Sequence, residues 1–191
     1  MSASIANPER SFLPRSLAAT AESIERLSAA IGRAVMWLSF IIVLLQFAVV
    51  VMRYAFAIGS IWLSESIIYG HAALFLLAAG WTLQQNGHVR VDIFYSKASA
   101  RGKAIVDLLG ALLLLLPFVA VIGWFGSAYA ARSWSILERS PEASGLPFVY
   151  LLKTLIPLFA LLLGLQGISQ AMRAMLTLMG EARPSEQAES G

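Results

Sequence analysis

Four long apolar runs alternate with short polar stretches along the chain. The first extends from about Ala34 to Tyr54, with Gln46 its only strongly polar interior residue and Arg53 near its far end. The second covers about Ile61 to Leu83, the third about Ala104 to Tyr129 and the fourth about Val149 to Met172. Each is long enough, at 1.5 Å of rise per residue, to cross a hydrocarbon core about 30 Å thick as a helix. Upstream of the first run, Ile24, Leu27, Ile31, Ala34, Val35 and Leu38 recur at three-to-four spacing. That spacing predicts a helix beginning near Ala21, with a half-wet first section. The connection Ala57-Ile58-Gly59-Ser60 is short, which makes spans one and two antiparallel neighbours. Pro117 and Pro157 fall inside spans three and four and predict kinks there.

Spans two and three are separated by GWTLQQNGHVRVDIFYSKASARGK, residues 80–103. Asn86-Gly87 is a turn signal and a good helix stop. Beyond it, Val91, Phe94, Tyr95 and Ala98 fall at i, i+3, i+4 and i+7, one face of a helix, with Lys97, Arg101 and Lys103 around them. The expected form is a short amphipathic helix lying flat at the membrane surface, anchored by Phe94, Tyr95 and Lys97 near anionic headgroups. His88, Arg90 and Asp92 are expected to latch this loop. Asp92 can accept backbone N–H bonds at the helix start, and Arg90 can pair with a carboxylate or a lipid phosphate. A second polar loop runs from Arg132 to Pro147, and a polar tail follows Glu181.

Composition fixes the class. The chain is 58% hydrophobic and only 13% charged, against about 25% charged in an ordinary soluble domain. The expected fold is an all-α integral membrane protein, with four transmembrane helices and the interfacial helix between helices 2 and 3. Its parts are an N-terminal segment 1–20, a membrane domain 21–176 and a flexible tail 177–191. Cysteine is absent, so disulfides, thiolate nucleophiles and cysteine-bound metals are excluded. Of the 14 lysines and arginines, Arg53, Arg132, Arg139 and Lys153 fall on one side of the four spans and the other ten on the opposite side. The basic side faces the cytoplasm by the positive-inside rule, which puts both termini and the 84–103 loop there. Basic residues flank the apolar runs and form no nucleic-acid patch.

Candidate chemistry is sparse. Glu65 is the acidic residue inside the second span. It can serve as a proton or ion ligand, as a structural partner for a cation of this or another chain, or by reaching headgroup water. A lone carboxylate builds no ion cage. His71 lies six residues further, about 600° around the helix, so the two do not form an acid–base pair. The expectation for His71 is a neutral imidazole bonded to a neighbouring helix. No nucleophile–base set, phosphate loop or metal motif is present, so no enzyme activity and no cofactor are expected. Gly164, Gly167, Gln166 and Gln170 on the fourth span favour close helix approach and interhelical hydrogen bonds.

Several residues in order resemble the small membrane subunit of TRAP transporters, the DctQ type. Trp62-x-x-Glu65 stands near the start of span two, and Gly87-His88-Val89-Arg90-Val91-Asp92 follows that span. Arg53-Tyr54 ends span one. Glu142-Ala-Ser144-Gly-Leu-Pro147 precedes Lys153, Ile156-Pro157 and Leu165-Gln166-Gly167. The resemblance runs from about Arg33 to Met172. It departs in one place: the family often has two consecutive acids after the Trp, where this chain has Glu65-Ser66.

The resemblance implies a scaffold subunit in the bacterial inner membrane. Its partners would be a large elevator-type permease subunit of the DctM type and a periplasmic substrate-binding protein of the DctP type. The complex would take up an organic acid with sodium, and the substrate and ion sites would lie on other chains. Arg53, Trp62, Glu65, Arg139 and Glu142 are then the expected contacts with the large subunit or the binding protein. Two other readings are a stand-alone small transporter with Glu65 as its coupling carboxylate, and a redox or haem anchor using His71 and His88.

Overall fold

The computed structural model describes residues 8–88, 95 and 97–180, with side chains from Pro14 onward. All the secondary structure described is helical. Helix α1 spans Pro8–Phe56 and α2 spans Ile61–Gln84. The third crossing comprises α3 (Ala100–Gly110), a π-helical turn (Ala111–Leu115) and α4 (Leu116–Ser135). Helix α5 spans Val149–Leu178. Four helical stretches are thus long and apolar enough to cross a membrane.

Helix α1 begins ahead of the boundary near Ala21 suggested by the apolar spacing. Its 49 residues extend about 73 Å, far beyond a hydrocarbon core. The extension is held by a buried stripe at Pro14, Ala21, Ser28 and Val35, one residue every seven, as in helices that pack along a long shared seam.

Each helix ends for a local reason. Asn86 adopts φ 53° just past α2, where a short polar side chain tolerates the left-handed conformation. Asn86 N–H donates to Leu83 O at 3.1 Å and Gly87 N–H to Thr82 O at 2.9 Å, the Schellman closure expected of Asn-Gly. The same closure ends α4, but with Leu137 in the left-handed position at φ 44°. There Leu137 N–H donates to Trp134 O and Glu138 N–H to Ser133 O. A left-handed Leu carries a steric penalty of about 1–2 kcal/mol. The π-helical turn precedes Pro117. Proline has no N–H to donate, and its ring collides with the carbonyl four residues back; the wider turn, with Leu116 N–H bonded to Ala111 O, absorbs both problems. Helix α5 continues through Pro157 without interruption.

Helix α5 is the hub, touching all the other helices, while α1 and α2 form an antiparallel hairpin on one of its sides and α3–α4 lie on another. The centre is Val119, Ala160 and Leu163, packed against Ala79, Leu83, Leu115, Leu116, Ile122 and Phe159. Small residues set the spacing. A Cβ on Gly167 would lie 2.7 Å from Leu115 Cδ2, and one on Gly32 would lie 2.3 Å from the Trp81 ring. Close backbone approach of this kind is the main source of helix association where lipid is as apolar as the side chains.

Residues 89–94 and 96 lie outside the described residues, as do 1–7 and 181–191. The expected interfacial helix, with Arg90, Asp92 and Phe94, therefore falls outside them.

Candidate functional site

Polar side chains concentrate at the two ends of the bundle. At the end formed by the α1–α2 connection, Ser60 caps α2, its Oγ accepting from Leu63 N–H at 3.3 Å. Glu65 follows one turn later and faces the segment between α4 and α5. Ser140 Oγ donates a short hydrogen bond to Glu65 Oε1, and Leu146 N–H donates to Oε2 at 2.6 Å. The segment closes on itself through Ser140 N–H to Leu146 O at 3.1 Å, Gly145 N–H to Glu142 O at 3.0 Å and Glu142 N–H to Ser140 Oγ at 3.2 Å. Leu146 is buried. Gly145 is obligatory here, because a Cβ would lie 2.3 Å from Ser140 Oγ and 2.8 Å from Glu65 Oε1. A carboxylate accepting from a hydroxyl and a backbone amide satisfies the requirement for a partner near the membrane, with no cation involved.

The same loop is fixed to α5 from its other side. Lys153 Nζ donates to Glu138 Oε2 at 2.5 Å and stands 4.1 Å over the Tyr129 ring. The Lys153 ammonium holds the Glu138 carboxyl below its ordinary range. Trp134 Nε1 donates to Thr154 Oγ1 at 2.8 Å, and its ring centroid lies 4.5 Å from that of Tyr150. This aromatic cluster marks a membrane interface, where rings with one polar edge are favoured.

The opposite end carries a second network. Arg173 forks onto Glu25, Nε to Oε1 at 2.8 Å and Nη2 to Oε2 at 2.7 Å, the bidentate geometry that makes such pairs strong. Ser169 Oγ lies 3.2 Å from both Glu25 Oε1 and Ala21 O. Deeper in, Ser28 Oγ donates to Gln166 Oε1 at 2.8 Å, with both residues buried. Tyr95 Oη donates to Asp107 Oδ2 at 2.7 Å, and Lys103 Nζ lies 5.7 Å from the Tyr95 ring centroid.

The residues singled out from sequence sort accordingly. Glu65 is engaged by this chain's own loop. Arg53, Trp62, Arg139 and Glu142 are exposed at the same end of the bundle. His88 is exposed just after the α2 stop, and Lys97 is exposed beside Tyr95. Among the described residues His71 has no hydrogen bond to a neighbouring helix; its side chain is exposed on α2. Of the interhelical hydrogen bonds expected on the fourth span, that of Gln166 is formed, to Ser28.

Sequence reasoning missed Ser140 as the partner of Glu65, and it missed the Glu25–Arg173 pair. The loop motif Glu142-Ala-Ser-Gly-Leu-Pro147 was visible, yet which carboxylate it meets depends on residues about 80 apart. Glu25 and Arg173 read as ordinary flanking charges until α1 and α5 lie side by side. Among the described residues, no three or more His, Asp or Glu side chains are grouped so as to hold a metal ion.

A family model described as the DctQ component of tripartite ATP-independent periplasmic transporters matches residues 42–177. No curated protein and no solved structure matches the chain.

Proposed function

The chain belongs to the DctQ family, the small permease subunit of tripartite ATP-independent periplasmic transporters, and on that premise we propose that it is the fixed scaffold of a sodium-driven importer of an organic acid. The large permease subunit carries the moving substrate site, and a periplasmic binding protein delivers the substrate. The chain sits in the bacterial inner membrane with both termini in the cytoplasm, as the excess of lysine and arginine on that side favours. The α1–α2 connection and the 136–148 loop then face the periplasm.

One observation carries this reading: Glu65, the membrane carboxylate of the α1–α2 hairpin, is committed to holding a loop. A coupling carboxylate in a stand-alone transporter must exchange protons or ions with a pathway. Glu65 instead accepts from Ser140 and Leu146, fixing the loop that presents Arg139 and Glu142 outward. We assign that loop, with Arg53 and Trp62 beside it, to contact with the binding protein or the large subunit. The haem reading loses support as well. His71 faces outward, and His88 lies beyond the end of the same helix, roughly 25 Å along its axis.

Reconstitution tests the proposal. In liposomes, the chain alone is expected to give no uptake. Combined with a large permease subunit and a binding protein encoded beside it, the chain is expected to support sodium-dependent uptake that is lost when it is left out. Flux through the chain alone, or uptake indifferent to its removal, would overturn the assignment.

A further inference from the structure

Two buried hydroxyls lie behind the 136–148 loop without a protein partner. Among the described residues, the buried side-chain oxygens that make no hydrogen bond are Tyr69 Oη, Ser133 Oγ and Gln84 Oε1. Gln84 lies about 22 Å further along α2 than Tyr69, so it belongs to the other end of the bundle. Tyr69 stands one turn below Glu65 on the same side of α2. Ser133 is in the last turn of α4 and only 1% exposed. Its carbonyl accepts from Glu138 N–H at 3.0 Å, which sets it directly beneath the start of the loop.

The Glu138 carboxylate is common to both. Together with Glu65 it acts electrostatically on the Tyr69 hydroxyl. Ser133 Oγ is near enough to influence it without making a direct hydrogen bond. Glu138 Oε2 is taken by Lys153, while Oε1 accepts from no described residue. A buried hydroxyl left unpaired carries a desolvation penalty, which proteins almost always remove with a protein partner or an ordered water. Two hydroxyls and one free carboxylate oxygen make three partners, about the number a buried water takes.

We propose that a single ordered water, bound behind the loop between α2 and α4, bridges Tyr69 Oη, Ser133 Oγ and Glu138 Oε1. The chemistry suits water: it accepts from the phenol, donates one proton to the carboxylate, and exchanges a further bond with the serine hydroxyl, which can donate or accept. A cation does not suit the site. Lys153 already neutralises Glu138, and Glu65 is engaged by Ser140 and Leu146. The consequence is mechanical. The loop is anchored to α2 through Glu65 and to α5 through the Glu138–Lys153 pair. The bridge ties Tyr69, one turn from the first anchor, to the second, so the loop opens as one unit and not from either side alone. Tyr69 and Ser133 are its positioning residues. This goes beyond the assignment of the chain as the small subunit and holds whichever partner the loop meets.

Near-isosteric variants test the bridge. If the two hydroxyls were simply unpaired, Tyr69→Phe and Ser133→Ala would be neutral or stabilising, because each removes a buried polar group. On a water bridge, each variant loses a hydrogen bond. Amide exchange across residues 136–148, measured on the full chain in lipid nanodiscs, should then quicken by about threefold to tenfold, with peptides from α5 unchanged. Because both hydroxyls hold one water, the double variant should exceed either single by less than about twofold. Unchanged or slower exchange in the single variants would overturn the bridge. Effects that multiply in the double variant would overturn the shared water. Replacing sodium with choline should leave exchange unaltered, whereas slower exchange in sodium would put a cation at the site and overturn the proposal. A cryo-EM map of the assembled wild-type transporter that resolves waters gives a readout free of any folding defect in the variants. Density within hydrogen-bonding distance of Tyr69 Oη and Ser133 Oγ is expected; direct bonds from these hydroxyls to Glu138 in its place would overturn the proposal.

Discussion

Replacing Glu65 with alanine should release the 136–148 loop while leaving the bundle folded. The carboxylate accepts one bond from Ser140 Oγ and one from Leu146 N–H at 2.6 Å. Hydrogen bonds to a charged group contribute about 1.5–3 kcal/mol each, and Glu65 is half-buried, which argues for the lower figure. Leu146 is buried, so losing its acceptor adds the penalty of an unpaired amide, about 1 kcal/mol or more. The loop should therefore open more easily by about 2–4 kcal/mol. At 1.36 kcal/mol per decade, amide hydrogen exchange across the loop should quicken by roughly thirtyfold to several hundredfold. The measurement is exchange mass spectrometry on the chain in lipid nanodiscs, with peptides from α5 as the internal reference. Ser140→Ala removes one of the two bonds and should give an intermediate effect, about tenfold. If Glu65→Ala leaves loop exchange within threefold of wild type, the carboxylate is not the clamp, and the assignment of Glu65 to loop support fails.

Three further outcomes follow from the same geometry. Glu25→Gln should lower thermal stability by about 2–3 kcal/mol, less than the 3–5 kcal/mol of a fully buried pair because Glu25 and Arg173 are partly exposed; an unchanged unfolding midpoint in detergent would refute a structural role for the pair. The Glu138 carboxyl titrates below its ordinary value of 4.5, so its pairing with Lys153 contributes fully above that value and is lost as pH falls through the lower folded value. The stability difference between wild type and Glu138→Gln should thus hold steady from pH 8 to pH 5 and shrink in stronger acid, as followed by thermal melts across that range. Leu137→Gly should raise the melting temperature, since glycine adopts φ 44° without the penalty of about 1–2 kcal/mol that a left-handed leucine carries; a lower midpoint would show that the exposed leucine side chain makes a compensating contact.

Much of the fold was legible because the membrane simplifies the code. Apolar length alone located the spans, since a crossing helix must satisfy its backbone internally over about 20 residues. Asn86-Gly87 was readable as a stop because the φ it requires is local. The start of α1 ahead of Ala21 was not, because the segment before it contains Pro14 and no sustained hydrophobic periodicity. The π-helical turn at Ala111–Leu115 was anticipated only as a kink at Pro117, since proline dictates that something must give and not how. At the site, the type of residue was visible and its partner was not. Glu65 stood out as a membrane carboxylate, but its bond to Ser140 spans 75 residues and exists only once α2, the loop and α5 meet. His71 shows the reverse error: its chemistry suggested an internal hydrogen bond, and only packing reveals that it points away from the bundle.

The distribution of polar groups by depth bears on how such a chain works beside a moving partner. From Val149 to Arg173 is about 36 Å along α5, a little more than the hydrocarbon core, so the Glu65 clamp and the Glu25–Arg173 pair fall near its two water boundaries. Ions there are paired without the full penalty of burial in lipid. Between the clamps the interior is closed by glycine-scale contacts, with Ser28–Gln166 as a buried polar crosslink. A bundle stapled at both boundaries and close-packed between them resists the sliding of helices that transport through it would require. Gln46 and His71, polar groups at mid-depth, are exposed on the outside of α1 and α2. That arrangement suits a body that stays still.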